Sequence, residues 1–162
     1  MYRIGIITMS DKGSRGERED KSAGVIKEIT GQMGWETVVY RIVPDDMDII
    51  QEELITCCDQ ERLDLVLTTG GTGLSPRDNT PEATRAVIER EVPGIAEAMR
   101  AESLKKTSRA MLSRAVAGIR YRTLIINLPG SPKAVKECLE AIMPALPHGL
   151  EILTGRGGEC AR

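Results

Sequence analysis

The stretch LVLTTGGTGLSPRDNTPEA, residues 65–83, constrains the fold of this chain more than any other. It begins in the largely apolar run Leu63–Leu67, which is typical of a strand buried on both faces of a parallel sheet. Three glycines then fall within four positions, where a backbone without Cβ atoms can approach a phosphate closely. The stretch ends in a helix start, with Thr80 as the cap, Pro81 at the first helical position and Glu82 suited to the helix dipole. This order of elements predicts a phosphate site.

The glycine loop fits neither of two well-known phosphate motifs. A Walker A loop requires G-x-x-x-x-G-K-[ST], but Leu74–Arg77 follow Gly73 without a lysine. A dinucleotide fingerprint requires a third glycine where Pro76 stands. A simpler interpretation, in which the glycines only shape a strand-to-helix turn, therefore stays open. Arg77 and Asp78 favour the phosphate site because they add a cation and a metal-capable carboxylate to the same loop.

The composition indicates one domain with an aliphatic core and no nucleic-acid partner. With 162 residues, of which 41% are hydrophobic, we expect residues 1–153 to form one domain and 154–162 a flexible tail. Phe is absent and aromatic residues make up 2%, so the core must consist of Ile, Val, Leu, Ala and Met. Nucleic-acid modules rely on aromatic platforms and basic surfaces, and a net charge of −2 gives no basic footprint.

The sequence also predicts a cytoplasmic protein without a membrane anchor. No apolar run approaches the roughly 20 residues needed to span a bilayer, and the N-terminus has no signal-peptide pattern. Four cysteines occur, at positions 57, 58, 138 and 160. Cys57 and Cys58 are neighbours that cannot easily bridge each other, and the sequence has no C-x-x-C pair or histidine cluster for zinc. We therefore expect free thiols in a reducing compartment.

Strand patterns and helix patterns alternate along the chain. Three further strands are predicted at Arg3–Met9, Trp35–Val43 and Thr123–Asn127. Helices are predicted at 21–33, from 47 onwards, and at 81–90, 95–105, 133–143 and 146–153, whereas the pattern of 108–120 does not decide between helix and strand. This alternation predicts an α/β fold, an open and mostly parallel sheet covered by helices on both faces.

Four loops should leave the carboxyl ends of these strands, where ligands of such sheets bind. The loops are Ser10–Gly16, Pro44–Asp46, Gly70–Asp78 and Leu128–Ser131. Asp45 and Asp78 lie on different loops of this edge and are a plausible pair for holding Mg²⁺ on a polyphosphate. For Asp45 a simple turn role also stays open, with Asp46 beside it as the helix cap.

Other candidate residues have structural interpretations. Asp20 and Ser131 are predicted helix caps, although the helix N-terminus after Ser131 can also face an anion. His148 is the only histidine and no motif pairs it with a nucleophile or a metal ligand, so Ser-His-Asp and Cys-His chemistry has no support. Glu97 and Arg100 belong to a solvated helix face that could border the site. Four methionines are predicted to face or fill the core: Met33, Met99, Met111 and Met143.

Seven short motifs, taken together, resemble the MogA/MoaB family. In chain order they are TMSD at 8–11, VPDD at 43–46, TTGGTG at 68–73, RDNTPEAT at 77–84, VPGIAEAMR at 92–100, LSR at 112–114 and NLPGSP at 127–132. The match covers nearly the whole chain, and TTGGTG followed closely by RD-x-TPEAT is highly specific. The G domains of gephyrin and of plant Cnx look similar too.

The resemblance implies a role in molybdenum-cofactor biosynthesis. Members of the family adenylylate molybdopterin and release pyrophosphate, which implies Mg²⁺ as cofactor, ATP as co-substrate and molybdopterin as substrate. The family fold is a three-layer α/β/α sandwich, commonly assembled as a homotrimer. The reaction joins two anions, so catalysis depends on positioning and charge neutralisation and needs no histidine base.

The resemblance also implies roles for individual residues. The two important carboxylates, catalytic and metal-binding, fall on Asp45 and Asp78. Nucleotide-binding positions fall on Thr69, Gly70, Gly71, Thr72, Gly73, Leu128, Pro129, Gly130 and Ser131. Substrate-binding positions fall on Ser10, Asp11, Arg77, Thr80, Ser113 and Arg114. Of these, Arg77 or Arg114 is a candidate for binding the phosphate of the pterin.

Two other functions stay open on the same motifs. One is a catalytically silent molybdopterin-binding or scaffold protein, because some MoaB-like members are not taken as active. The other is a nucleotide pyrophosphatase like the first domain of the competence-damage proteins. The loop of those proteins is of the type GGLGPT-x-DD, from which GGTGLSPRD in this chain departs. The retained carboxylates favour the enzyme.

Overall fold

The computed structural model describes residues 1–157, which form one six-stranded sheet between two layers of helices. The strands are β1 (Arg3–Met9), β2 (Glu36–Val43), β3 (Leu65–Thr69), β4 (Arg90–Glu91), β5 (Ala117–Arg120) and β6 (Thr123–Leu128). Their order across the sheet is β2-β1-β3-β6-β5-β4. Strands β2, β1, β3 and β6 run parallel to one another. Strand β5 pairs antiparallel with β6, and β4 pairs antiparallel with β5 at the edge of the sheet. The prediction of a mostly parallel sheet is confirmed.

Helices cover both faces of this sheet, as the alternation of elements predicts. They are α1 (Asp11–Ser14), α2 (Lys21–Gln32), α3 (Met47–Ile55), α4 (Thr80–Val87), α5 (Pro93–Leu104), α6 (Pro132–Ile142) and α7 (Leu146–Thr154). Side chains of α2, α5, α6 and α7 pack on one face, and those of α3 and α4 pack on the other. The fold is therefore a three-layer α/β/α sandwich. Within residues 1–157, none of the helices is long and apolar enough to cross a membrane.

The core is aliphatic, because the strands are buried on both faces and the chain has no Phe. In β3, Leu65 and Leu67 face the layer of α2 and α6, whereas Val66 faces the layer of α3 and α4. The same alternation holds in β6, where Ile126 and Ile125 point to opposite layers. Continuous apolar runs in the sequence thus correspond to strands with two buried faces.

Several predicted boundaries are wrong, each for a local reason. Residues 11–14 of the first predicted loop form the short helix α1, because the Ser10 hydroxyl accepts a hydrogen bond from the Gly13 N–H (2.9 Å) and caps it. Helix α4 ends at Val87, and Arg90 enters the edge strand β4 instead. Residues 108–120, whose pattern does not decide between helix and strand, form a 3₁₀ turn at Ser108–Leu112 and then strand β5.

The predicted cap of α4 and two predicted core methionines also need correction. Asn79 occupies the cap position, and Thr80 is the first helical residue, whose hydroxyl donates to the Gly70 carbonyl (2.9 Å). Met33 is 42% exposed because it lies at the C-terminal cap of α2, and Met111 is 64% exposed because its 3₁₀ turn has no buried residue. The other two predictions are confirmed, for the buried Met99 and the partly buried Met143.

The predicted C-terminal tail begins too early. Thr154 is the last residue of α7, and Gly155 caps the helix in the left-handed conformation (φ 68°). Arg156 then forms an ion pair with the buried Asp64 (3.1 Å). Residues 158–162 of the predicted tail, including Cys160, lie outside the described part of the chain.

One buried polar side chain links three elements just below the carboxyl edge of the sheet. Asn127 of β6 is fully buried, and its Nδ2 donates to the hydroxyls of Thr68 in β3 (3.1 Å) and Thr84 in α4 (3.0 Å). Its Oδ1 accepts from the N–H of Val116 (3.2 Å). Because every polar atom of this side chain is used, it fixes the strands that carry the loops above it.

We expect Asn127→Ala to lower the free energy of unfolding by about 2–4 kcal/mol, because it leaves a buried N–H and two hydroxyls without their partner. Urea unfolding followed by circular dichroism measures the change. The matched control is Gln32→Ala, which removes an exposed amide at the end of α2 and should change stability by less than about 0.5 kcal/mol. Equal losses in the two variants would contradict the structural role of Asn127.

Candidate active site

The carboxyl ends of the four parallel strands open into one cleft of about 780 Å³. Each of the four predicted loops contributes to its lining, so the predicted convergence is confirmed. The lining residues from these loops are Ser10 and Gly13 after β1, Asp45 after β2, Gly70, Gly71 and Asp78 after β3, and Gly130 and Ser131 after β6. A volume of this size is in the range of small-molecule sites.

The first two glycines of the loop are required for its shape. Gly70 (φ 93°) and Gly71 (φ 69°) adopt a conformation that other residues rarely adopt. A Cβ atom on Gly70 would lie 2.5 Å from the Met9 carbonyl oxygen, and one on Gly71 would lie 2.3 Å from the Thr80 hydroxyl. The simpler interpretation of the glycines therefore accounts for these two positions.

The third glycine has a different environment. Gly73 has an ordinary φ, and a Cβ atom there would first meet the Asp78 carboxylate, 3.0 Å away. Asp78 Oδ2 accepts a hydrogen bond from the Ser75 N–H (2.9 Å), which folds the loop back on itself. Gly73 thus leaves space beside a carboxylate rather than relieving backbone strain.

Asp45 is fixed by a reciprocal pair of hydrogen bonds to the neighbouring loop. The Asp11 N–H donates to Asp45 Oδ2 (3.1 Å), and the Asp45 N–H donates to Asp11 Oδ1 (3.0 Å). Arg77 donates to both carboxylate oxygens of Asp11, from Nε (2.9 Å) and Nη2 (2.8 Å). The three loops after β1, β2 and β3 are therefore tied together, with the charge of Asp11 balanced by Arg77.

The two site carboxylates differ from Asp11 in having no cationic partner. Among the ion pairs of residues 1–157, none includes Asp45 or Asp78. Burial raises the pKa of the Asp45 carboxyl, and the charges of Asp11 and Asp78 raise it further, against the opposing effects of the Asp11 N–H and the Arg77 guanidinium. Ionising the half-buried Asp45 is therefore costly, and Asp45 lies close enough to Asp78 for their charges to interact.

The donor set suits one kind of metal ion. Across residues 1–157 there is no group of three or more His, Cys, Asp and Glu side chains that could enclose a metal. Two carboxylates at an open cleft fit Mg²⁺, which usually takes one or two protein carboxylates and completes its shell with water and substrate phosphates. Asp45 and Asp78 would hold such an ion together with a bound polyphosphate.

The turn after β6 is fixed by side chains from both of its neighbours. The Thr69 hydroxyl donates to the Pro129 carbonyl (2.6 Å), and the Ser22 hydroxyl donates to the Gly130 carbonyl (2.7 Å). Ser131 caps α6, accepting from the Ala134 N–H (3.2 Å), as predicted. The hydroxyl proton of Thr69 is therefore used in a hydrogen bond within the protein.

Comparison with known proteins identifies the family. The family model described as "Probable molybdopterin binding domain" matches residues 5–148, which include all four loops. The chain belongs to the MogA/MoaB family of molybdopterin-binding domains. Its resemblance on seven motifs is thus confirmed over most of the chain.

Three relatives of this MogA/MoaB chain match over most of their own length. A molybdopterin adenylyltransferase of Helicobacter pylori strain J99 is 47% identical over 94% of this chain and 88% of its own. The molybdopterin adenylyltransferase of Escherichia coli K12 is 45% identical over 91% of this chain and 79% of its own. The crystal structure of the molybdopterin biosynthesis enzyme MoaB of Thermus thermophilus is 55% identical, with a TM-score of 0.91 over 96% of this chain and 98% of that one.

The remaining predicted residues of this MogA/MoaB chain either line a second cavity or lie outside both cavities. The second cavity is mostly apolar, has a volume of about 250 Å³, and is lined by Thr72, Gly73, Pro129 and Ser113 among others. Arg100 borders this second cavity rather than the cleft, and Glu97 lines neither. Five predicted residues line neither space: Asp11, Arg77, Thr80, Arg114 and Leu128. The glycine loop therefore contributes to both cavities.

Sequence reasoning missed one part of the cleft lining, residues 18–21. Arg18 and Lys21 belong to this part, and Asp20 lies between them. Asp20 caps α2 as predicted, but its Oδ2 also accepts from the hydroxyls of Thr8 (2.5 Å) and Tyr40 (2.6 Å). Burial and the Asp20 carboxylate raise the pKa of the Tyr40 hydroxyl. The charged run RGERED was the available signal, but nothing local relates it to the ends of β1 and β2.

The raised pKa of Asp45 predicts a pH-dependent effect of Asp45→Asn on stability. An acid with a higher pKa in the folded protein binds more protons when folded, so its contribution to the free energy of unfolding falls as the pH rises. Asparagine keeps an acceptor for the Asp11 N–H without the charge. We therefore expect a higher melting temperature than wild type near neutral pH, with the difference vanishing towards about pH 4, the ordinary range of aspartate.

Thermal unfolding in a chelating buffer across this pH range tests the expectation. Asp46→Asn is the matched control, because Asp46 is the adjacent residue that caps α3 through the Ile49 N–H (3.1 Å) and asparagine caps equally well. A variant of Asp45 that is less stable than wild type at every pH would refute the electrostatic cost assigned to this carboxylate.

Proposed function

We propose that this chain transfers the adenylyl group of ATP to molybdopterin. The observation that carries the proposal is the meeting of Asp45 and Asp78 beside the glycine loop in a cleft of nucleotide size, where neither carboxylate has a cationic partner among residues 1–157. Relatives named molybdopterin adenylyltransferase, at 45–47% identity, support the same activity.

The division of the loop between two cavities supports an assignment of the two substrates. The polar cleft would take ATP, with its phosphates against the loop amides and beside Asp45 and Asp78. The apolar second cavity, lined by Ser113 and the last residues of the glycine loop, would take the pterin. Because Thr72 and Gly73 follow directly on Gly70 and Gly71, the reacting phosphates would meet at this loop.

The proposed reaction is an attack of the terminal phosphate oxygen of molybdopterin on the α-phosphorus of ATP. A new P–O bond forms, the bond from the α-phosphorus to the oxygen bridging to the β-phosphate breaks, and pyrophosphate leaves with that oxygen. A phosphate monoester is largely an anion at neutral pH, so the nucleophile needs no base. Among residues 1–157, no histidine lines this cleft.

Catalysis would then depend on positioning the reacting phosphates and on neutralising their negative charge. Backbone N–H groups of the loop would orient the phosphates, and Gly73 would let a phosphate approach beside Asp78. Mg²⁺, when bound, supplies the positive charge that both phosphates and both carboxylates need. The raised pKa of Asp45 fits such a role, since a cation at this position offsets the cost of ionising a half-buried acid.

Two further properties belong to the same proposal. A homotrimer is implied by the family resemblance, and the exposed apolar side chains of Leu104, Met111 and Leu112 supply a surface that a second copy could cover. A reducing, cytoplasmic location is supported by the free buried thiols of Cys57, Cys58 and Cys138.

Purified protein supplied with molybdopterin and Mg-ATP should form the adenylylated pterin and one pyrophosphate per product. Asp78→Asn should lower turnover by at least about 1,000-fold, since it removes a charge that acts only where the phosphates react. Its melting temperature should stay near that of wild type. Asp59→Asn is the control, because Asp59 pairs with Arg120 (2.8 Å) outside both cavities and should leave turnover unchanged.

Other outcomes would select the alternative functions. Binding of the pterin by wild-type protein without any release of pyrophosphate would mean a scaffold. Hydrolysis of free nucleotides in the absence of pterin would mean a pyrophosphatase. A crystal soaked with AMP distinguishes these further, because the proposal places the nucleotide in the cleft between Gly70 and Gly130.

A further inference from the structure

We infer that Arg114 is a positioning residue. Its side chain holds the glycine loop and Asp78 in place and does not itself contact substrate. The inference rests on the proposed function for its catalytic consequence. Arg114 follows the 3₁₀ turn that precedes β5, so it reaches the loop from an element remote in sequence.

The guanidinium of Arg114 donates hydrogen bonds to two carbonyls of the glycine loop, those of Gly73 and Asp78. Its Nε donates to the carbonyl of Gly73 (2.8 Å), and its Nη2 donates to the carbonyl of Asp78 (2.8 Å). Its Nη1 forms an ion pair with Glu82 in the first turn of α4. One planar group therefore sets the separation of Gly73 and Asp78 and anchors both to α4, a task suited to the rigid fork of arginine.

The backbone of Arg114 adds a fourth connection. Its N–H donates to the carbonyl of Thr72 (2.9 Å), so main chain and side chain hold successive residues of the loop. The segment is itself held from α5, where Arg100 donates to the carbonyls of Ser113 (3.4 Å) and Ala115 (2.9 Å). A continuous set of bonds therefore runs from a core helix to the reacting loop.

These contacts leave Arg114 poorly placed to bind a phosphate. All three of its nitrogens are used within the protein, its charge is balanced by Glu82, and it lines neither cavity. Between its two carbonyl contacts the loop makes the Ser75–Asp78 bond that orients the Asp78 carboxylate. Loss of the guanidinium should therefore release Asp78 without removing any direct contact to a ligand.

The test compares Arg114→Ala with Arg120→Ala as a matched control. The guanidinium of Arg120 likewise donates several hydrogen bonds, to Asp59 through Nε (3.0 Å) and Nη2 (2.8 Å) and to the Val87 carbonyl (2.8 Å). None of these partners belongs to the glycine loop. Hydrogen exchange of the loop amides is the readout that does not depend on activity. The amides of Ser75, Asp78 and Thr80 are hydrogen-bonded in the intact loop. They should exchange at least about 10-fold faster in Arg114→Ala and at the wild-type rate in Arg120→Ala.

Kinetics give the second readout. Arg114→Ala should lower kcat by about 100-fold, the usual cost of a small misplacement of reacting groups, with a smaller change in KM. Added guanidinium ion should restore part of kcat, whereas methylammonium should not, because the missing group is a planar fork. Arg114→Lys keeps the positive charge but lacks the planar guanidinium, so its kcat should also stay below that of wild type. This variant replaces Arg114→Ala in the test if the alanine variant folds poorly.

The outcomes separate this inference from the proposed function. Wild-type protein that fails to adenylylate molybdopterin refutes the proposed function, while the exchange rates still decide whether Arg114 fixes the loop. Unchanged loop exchange in both Arg114 variants overturns the positioning role whatever the activity. An increase in KM for the pterin with kcat unchanged also overturns it, because that result means direct substrate binding.

Discussion

The parallel pairing of β2, β1, β3 and β6 is the constraint on which the rest of the structure depends. Parallel neighbours end at the same edge, so loops that are remote in sequence reach a single cleft. Asp45 follows β2 and Asp78 follows β3, with β1 between them, and α3 and α4 pack together on the same face. The two carboxylates therefore approach each other across the end of β1, where Asp11 supplies the hydrogen bonds that hold one of them.

Electrostatic balance separates the acidic residues of this edge into two groups. Asp11 is paired with Arg77, and Asp20 is held by the hydroxyls of Thr8 and Tyr40. Asp45 and Asp78 accept hydrogen bonds from backbone N–H groups, and within residues 1–157 no ion pair includes them. A half-buried charge without a partner lowers stability, so stability alone would favour a cationic partner for each of these carboxylates. Their arrangement is understandable if the missing charge arrives with the substrate.

Much of this arrangement could be predicted from local patterns. The buried strands, the caps at Asp20 and Ser131 and the four loops each follow from short-range chemistry, and the order of the elements predicts their common edge. The division of the glycine loop between two cavities and the partners of Arg114 could not be predicted. They depend on how residues 108–120 return to the loop, and that segment carries no periodic pattern that distinguishes helix from strand.

The glycine loop shows why the prediction of a phosphate site does not rest on glycine content alone. Gly70 and Gly71 are fixed by the fold, because a side chain at either would strike the end of β1 or the start of α4. A turn with no ligand would need the same two residues. Gly73 is different, since the space it leaves lies against the Asp78 carboxylate and relieves no backbone strain. Within residues 1–157, the pairing of this unstrained glycine with an acid that belongs to no ion pair is a feature that a tight turn alone does not require.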